Sequence, residues 1–235
     1  MTPPPWRIEV HATLPSTQRL AEARAEAGEP GRLAILAMEQ PAGQGRDGRG
    51  WASARGNLHL TAMLRPQRPA REVTQLVLAA AVAMHAAAAA LAPVRLKWPN
   101  DLLRDGAKVG GLLAEARLEG ERIAHLLFGF GINLAEAPAV PGRPTARLGP
   151  VAPEVFAQAL LAQLDAWLAR HAAAGFSPIR AAWMAAGPEP GAILKLRQGD
   201  SIAIGRYEGL DEDGALRLAT EHGPCRFLAG ELEGA

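Results

Sequence analysis

The sequence predicts an α+β chain, a sheet-and-helix body followed by a small β-barrel, on three observations. Runs with the two-residue period of strands alternate with runs of helical period through most of the chain. The segment Gly187-Pro188-Glu189-Pro190-Gly191 then breaks every pattern. Beyond it only short strand-like runs remain, separated by turn pairs at Gln198-Gly199 and Asp213-Gly214. The expected division is therefore 1–187 for the larger unit and 188–235 for a barrel of about 45 residues.

In chain order, Trp6 to His11 alternates well enough for a first strand. Ser16 or Thr17 caps a short helix running to about Ala27 and closed by Gly28. Leu33 to Met38 and Asn57 to Leu64 read as strands on either side of a glycine-rich loop. Arg71 to Leu91 is an alanine-rich helix ended by Pro93, and Val94 to Trp98 is a brief strand running into Pro99. Asp105-Gly106 marks a hairpin, followed by strand Lys108 to Leu118, a turn at Glu119-Gly120 and strand Arg122 to Leu134. After the proline-rich stretch Ala137 to Pro153, one helix carries Phe156, Leu160, Leu164, Trp167 and Leu168 on one face, and a shorter one holds Ile179 and Trp183. Strands at Ala192 to Leu196, Ser201 to Tyr207, Ala215 to Ala219 and Cys225 to Leu228 complete the barrel.

Composition narrows the function. With 49% hydrophobic and 21% charged residues the chain reads as globular, and a formal net charge of +1 gives no polyelectrolyte drive toward nucleic acid or anionic membrane. The single cysteine, Cys225, excludes an intrachain disulfide and a cysteine-cluster metal site. Met1 to Trp6 has neither the basic nor the apolar region of a secretory signal, and Leu76 to Val94 reads as a buried helix, so a cytoplasmic enzyme is expected. His11, His59, His85, His125, His171 and His222 lack paired metal-binding spacing and read as packed or surface residues, so no protein metal site is expected.

The chemistry concentrates in Gly43-Gln44-Gly45-Arg46-Asp47-Gly48-Arg49-Gly50-Trp51. Glycines let backbone N–H groups approach a ligand, arginine forks suit phosphate, and Trp51 offers a flat face. Although Gly43-x-Gly45-x-x-Gly48 matches the dinucleotide fingerprint, a strand-like run rather than a helix follows it, and no acid lies between Asp47 and Glu72. A P-loop is excluded because no Gly-Lys-Ser/Thr occurs.

Four further segments stand out. Ser16-Thr17-Gln18 sits at a strand-to-helix turn; an ordinary N-cap is the competing reading. Lys97-Trp98-Pro99-Asn100-Asp101 places a cation, a ring and a carboxylate at a strand end, which turn chemistry explains only in part. Lys108-Val109-Gly110-Gly111-Leu112-Leu113-Ala114-Glu115 brings a lysine into a glycine-opened strand, where a close ligand or a bulge is equally indicated. Gly129-Phe130-Gly131-Ile132-Asn133 is a second glycine-thinned strand, ending in an amide.

In this order and spacing the segments resemble the biotin–protein ligase family (biotin–[acetyl-CoA-carboxylase] ligases). The matching residues are Ser16-Thr17, Gln40 with Gly43-x-Gly45-Arg46-x-Gly48-Arg49-x-Trp51, Lys97 to Asp101, Lys108-x-x-Gly111-x-Leu113-x-Glu115 and Gly129-x-Gly131-Ile132-Asn133. The resemblance covers nearly the whole chain. It implies a mixed β-sheet flanked by helices, of the biotin/lipoate ligase-like and class II synthetase-like kind, with a small C-terminal SH3-like β-barrel. Some members carry an N-terminal helix-turn-helix, for which no room is expected here.

The implied reaction has two steps: biotin and ATP give biotinyl-AMP, and a lysine of a biotin carboxyl carrier protein then takes the biotin. By resemblance, Arg46 and Lys108 bridge the biotin carboxylate and the α-phosphate, while Arg49 reaches the phosphates and Trp51 and Asn133 flank the adenine. Ser16, Thr17 and Gln40 bind the biotin ureido ring, with Gly43 and Gly111 letting backbone close over it. Asp101 orients or deprotonates the incoming amine, or else braces the turn or Lys97. Magnesium accompanies ATP. The implied partners are biotin, ATP and the carrier domain of acetyl-CoA carboxylase or a similar carboxylase, with a homodimer in some members, and neither nucleic acid nor membrane. The loop from Gly43 to Gly56 is expected to order over ligand. Gln44, Asp47 and Gln18 depart from the family pattern and are expected to tune affinity or adenylate retention.

Two alternatives stay open on sequence. One is a lipoate or octanoate transferase of related fold, which in its transferase form needs a cysteine at the acyl site. The other is a biotin-responsive or nucleic-acid-binding protein, suggested by the acid-free run holding Arg49, Arg55, Arg65, Arg68 and Arg71.

Overall fold

A computed structural model describes residues 4–233. Residues 1–3 and 234–235, the outer ends of the expected units 1–187 and 188–235 and part of the signal-peptide reading, lie outside the described residues.

Seven strands form one sheet: β1 (Arg7–His11), β2 (Leu33–Ala37), β3 (Leu58–Leu64), β4 (Arg95–Lys97), β5 (Asp101–Arg104), β6 (Ala107–Glu119) and β7 (Arg122–Ile132). Their order is β1-β2-β3-β7-β6-β5-β4, with β1 and β2 parallel and the remaining pairs antiparallel, so the sheet is mixed. Helix α1 (Thr17–Glu26) covers one face, and α2 (Val73–Ala89), α3 (Pro153–Ala174) and α4 (Ser177–Ala186) cover the other.

This three-layer arrangement explains why β2 is apolar without alternation. Leu33 and Ile35 pack with Ala21 and Ala25 of α1, while Ala34 and Leu36 join the core under α2 and α3. A central strand covered on both faces has no polar side to show. Helix α2, with the turn before it, is long and apolar enough to cross a membrane. Its Leu76, Leu78, Val82 and Met84 instead lie inside the core beside Leu160, Leu164 and Trp183.

The C-terminal unit is a five-stranded antiparallel sheet in the order β11-β10-β9-β8-β12. Its strands are β8 (Ile193–Gln198), β9 (Ser201–Leu210), β10 (Leu216–Thr220), β11 (Gly223–Phe227) and β12 (Glu231–Glu233). Leu196, Tyr207, Leu218 and Leu232 are buried within it, in one cluster with the core of the larger unit. The Tyr207 hydroxyl has no hydrogen-bond partner among the described residues, and burial pushes its pKa up to about 12. β12 is absent from the sequence reading, since three residues show no period.

Candidate active site

Three glycines let side chains lie flat on the sheet. Across β5, β6, β7 and β3, Asp101, Gly111, Gly131 and His59 pair in one row, with Leu113, Gly129 and Thr61 in the next. A Cβ on Gly131 would sit 2.5 Å from Cε2 of Trp51, and one on Gly129 would sit 2.5 Å from Oε1 of Gln18. A Cβ on Gly111 would be 3.3 Å from the Lys108 ammonium. The glycine-thinned strands are therefore shelves for an indole, an amide and an ammonium.

Lys108 reaches this face because the β5–β6 register shifts between Leu102 and Leu103. Leu102 pairs with Gly110 and Leu103 with Lys108, leaving Val109 as the extra residue. Such a bulge re-aims the neighbouring side chain. Lys108 Nζ then donates to Asp101 Oδ1 at 2.6 Å and lies 5.5 Å from the Trp51 ring centroid. Asp101 thus serves Lys108, and no ion pair joins it to Lys97 among the described residues.

The opposite wall is the glycine loop, an arch closed by Gly45 N–H donating to the Arg49 carbonyl at 2.7 Å. Asp47 holds the turn at φ 56°. Arg46 Nη1 donates to Asn100 Oδ1 at 3.0 Å and its Nη2 to the Gly230 carbonyl at 3.1 Å. Arg49 Nη1 is 3.1 Å from both oxygens of Glu231, whose Oε1 also accepts from Arg143 Nη2 at 3.2 Å. The hydrogen bond that Arg49 donates to the Glu231 carboxylate holds its guanidinium above the ordinary pKa. Burial alone would raise the Glu231 carboxyl, but Arg49, with Arg143 and Arg46 behind it, holds it below the usual range.

At the far end lies a polar cluster. Ser16 is the N-cap of α1, its Oγ accepting from Arg19 N–H at 3.5 Å, so the capping role falls to Ser16 and Thr17 opens the helix. Thr17 N–H donates to Gln40 Oε1 at 2.7 Å. The Thr61 hydroxyl is 2.8 Å from Thr17 Oγ1 and 3.1 Å from Gln18 Oε1, and Gln18 Nε2 donates to Glu115 Oε2 at 2.9 Å.

One cleft is lined by Ser16, Thr17, Gln40, Arg46, Arg49, Trp51, Asp101, Lys108, Gly111 and Asn133. It brings together every candidate from the sequence except Gly43. That glycine lies one layer behind, where a Cβ would meet the Trp51 carbonyl at 2.7 Å and Ser53 Oγ at 2.9 Å, so it shapes the loop and not the cleft wall. Asn133 contributes from a fixed place, its Nδ2 donating to the Ala146 carbonyl at 3.0 Å. The Trp51 indole N–H is buried with no hydrogen-bond partner among the described residues.

The sequence reading assigned no role to Glu115, although its motif contained it, and missed Arg143, Gly230 and Glu231 altogether. Nothing local marks the last three; only folding brings the barrel and residue 143 to the loop. Among the described residues, no group of three His, Cys, Asp or Glu is placed to hold a metal. Cys225 sits on β11, 3.7 Å from the Thr220 hydroxyl and outside the cleft lining, which removes the support for an acyl-transferring cysteine. Two of the arginines behind the nucleic-acid reading are engaged structurally. Arg65 donates to the Glu29 carbonyl at 2.7 Å, and Arg68 pairs with Glu72.

Comparison with known proteins agrees with this geometry. A model of the "Biotin/lipoate A/B protein ligase family" matches residues 10–133. The chain is 37% identical over 219 residues to the biotin–[acetyl-CoA-carboxylase] ligase of Paracoccus denitrificans, covering 87% of this chain and 91% of that protein. It is 29% identical to the bifunctional ligase/repressor BirA of Bacillus subtilis, covering 95% and 72% respectively. The solved biotin protein ligase from Aquifex aeolicus, in complex with biotin and ATP, superposes with a TM-score of 0.81 at 26% identity over 97% of each chain. The chain belongs to the biotin/lipoate A/B protein ligase family, among its biotin protein ligases.

Proposed function

We propose that this chain is an ATP-dependent biotin–protein ligase that makes biotinyl-5′-AMP and transfers biotin to a lysine of a carboxylase carrier domain. The observation that carries the reading is the joint presence of Arg46 and Lys108, from the loop and from β6, in a single cleft with a polar amide end. The first step brings two anions together, so preorganised cations on both sides are what it requires.

In the first step a biotin carboxylate oxygen attacks the α-phosphorus and the bond to pyrophosphate breaks. Arg46 and Lys108 lie across that centre and stabilise charge as it moves to the departing oxygen. Arg49 binds the phosphates, and Trp51 and Asn133 flank the adenine. Thr17 and Gln40, with Ser16 beside them, hold the ureido ring, while Gly43 acts by shaping the loop and Gly111 by leaving room. In the second step the acceptor amine attacks the acyl carbon and AMP leaves. Asp101 orients Lys108 and faces the incoming amine.

Among the described residues the cleft is lined by two carboxylates, Asp101 and Glu231, and both bind cations of the protein. Magnesium would enter with ATP as part of that substrate and would supply charge neutralisation of the triphosphate. We retain 1–187 as the catalytic unit and 188–235 as the barrel, and we place the enzyme in the cytoplasm with its carboxylase. Incubation with biotin, Mg-ATP and a purified carrier domain, followed by mass spectrometry, tests the proposal. One added biotinyl group on the acceptor lysine is expected, and an unmodified acceptor refutes it.

A further inference from the structure

We propose that Glu231, on the last strand of the barrel, is a displaceable latch on the glycine loop: it occupies Arg49 until the triphosphate takes its place. The proposal rests on the reading that Arg49 faces the nucleotide.

A guanidinium has five N–H groups in a fixed fork, and a bidentate grip on phosphate needs two that point the same way. In Arg49 Nε donates to the Arg46 carbonyl at 3.3 Å, Nη1 is shared between both Glu231 oxygens at 3.1 Å, and Nη2 reaches Asp47 at 3.4 Å. No parallel pair is free. Arg49 can grip a phosphate bidentately only by releasing a carboxylate, and Glu231 holds the better-placed bonds.

Carboxylate and phosphate present similar oxygen pairs to such a fork, so one excludes the other. The same exchange would free Arg143, which donates to Glu231 Oε1 at 3.2 Å and also lines the cleft. The latch is mechanically light. β12 has three residues, lies at the sheet edge and pairs with β8 alone. Arg46 holds the neighbouring Gly230 carbonyl at 3.1 Å, so the barrel touches both loop arginines through adjacent residues. Glu231 is thus a positioning residue that makes barrel and loop move as one when the site is empty and separates them when it is full.

The test is calorimetric titration of the magnesium complex of the α,β-methylene analogue of ATP, which cannot be cleaved to an adenylate, into biotin-loaded wild-type protein and Glu231→Gln, with hydrogen exchange on both. The side chain of Glu231 is 39% exposed, so the substitution leaves the fold intact, which a thermal melt verifies. Removing a closed state raises the binding-competent fraction, and the variant should bind the analogue about three- to tenfold more tightly with an unchanged biotin affinity. In the wild type, the analogue should slow exchange in residues 43–56 and speed it in 229–233. Equal or weaker analogue binding by the variant overturns the latch, as does joint protection of both segments. If the analogue binds but the wild type transfers no biotin with Mg-ATP, the ligase reading fails while the binding comparison still decides the latch.

Discussion

The ammonium of Lys108 lies 2.6 Å from Oδ1 of Asp101, two residues that the β5–β6 bulge brings onto one face of the sheet. Both are partly buried, at 24% and 20% side-chain exposure, and each is held in place by the other. A carboxylate that fixes the activating cation affects adenylation, whereas a simple base for the acceptor amine affects only transfer. Asp101→Asn is therefore expected to slow both steps by about tenfold or more, and Lys108→Met to slow the first by roughly 100- to 1,000-fold. Pyrophosphate release and acceptor labelling, measured separately, read the two steps.

Gly131→Ala tests the shelf. The new methyl would fall 2.5–2.8 Å from three atoms of the Trp51 indole, so the ring must leave its place. The expected result is a rise in the ATP KM with much less change for biotin. Trp51 fluorescence should shift in the variant, and an unchanged ATP KM would show that the indole does not meet the nucleotide.

The amide end of the cleft depends on Glu115, which binds Gln18 at 2.9 Å. Removing a charged hydrogen-bond partner costs about 1.5–3 kcal/mol. Glu115→Ala should accordingly raise the biotin KM by about tenfold or more, leaving the ATP KM near its starting value. Steady-state kinetics with each substrate varied in turn checks the separation.

Stability should fall with mild acid. Burial holds His59, His85 and His171 below the ordinary histidine pKa, against the opposing hydrogen bonds of His59 to Ala54 and His85 to Val94. The unfolded chain takes up these protons at about pH 6.5, before the folded protein does. A histidine whose folded pKa is lowered therefore costs nothing above pH 6.5 and loses stability as the pH drops through that value toward the folded one. Melting temperatures at pH 7.5 and 5.5 should differ, with the lower value in acid. His59→Gln, at a site 1% exposed, should narrow the difference.

The barrel–loop contact follows a different window. Glu231 has a lowered pKa, so its bonds to Arg49 and Arg143 persist above the ordinary carboxylate range and weaken only as the pH falls below about 4.5. Protection of residues 43–56, corrected for the intrinsic pH dependence of amide exchange, should be constant between about pH 5 and 8 and fall only below about pH 4.5. A change near pH 6.5 would point to a histidine instead.

Much of the site was legible because its motifs are local. Arg46, Arg49 and Trp51 come from one loop, and Gly129 and Gly131 from one strand, so spacing alone kept them together. The elements that the sequence leaves unassigned are those whose periodicity is short or hidden: β12 has three residues, and β5 has four between Pro99-Asn100 and the hairpin turn at Asp105-Gly106. Ser16 proved to be the cap and Thr17 the first helical residue, a distinction of one position that cap geometry alone resolves.

Read alone, the chain determined which segments form strands and helices, where glycines interrupt them, and which residue types a phosphate and an amide-rich ligand would meet. Those features follow from side-chain period and backbone freedom over a few residues. Tertiary structure alone decided that Lys108 turns toward Asp101, that Gly43 lies behind the wall, and that Glu231 reaches Arg49 across 182 positions of sequence. Strand register and the docking of the barrel depend on contacts between segments far apart in the chain, and these form only when the core closes around them.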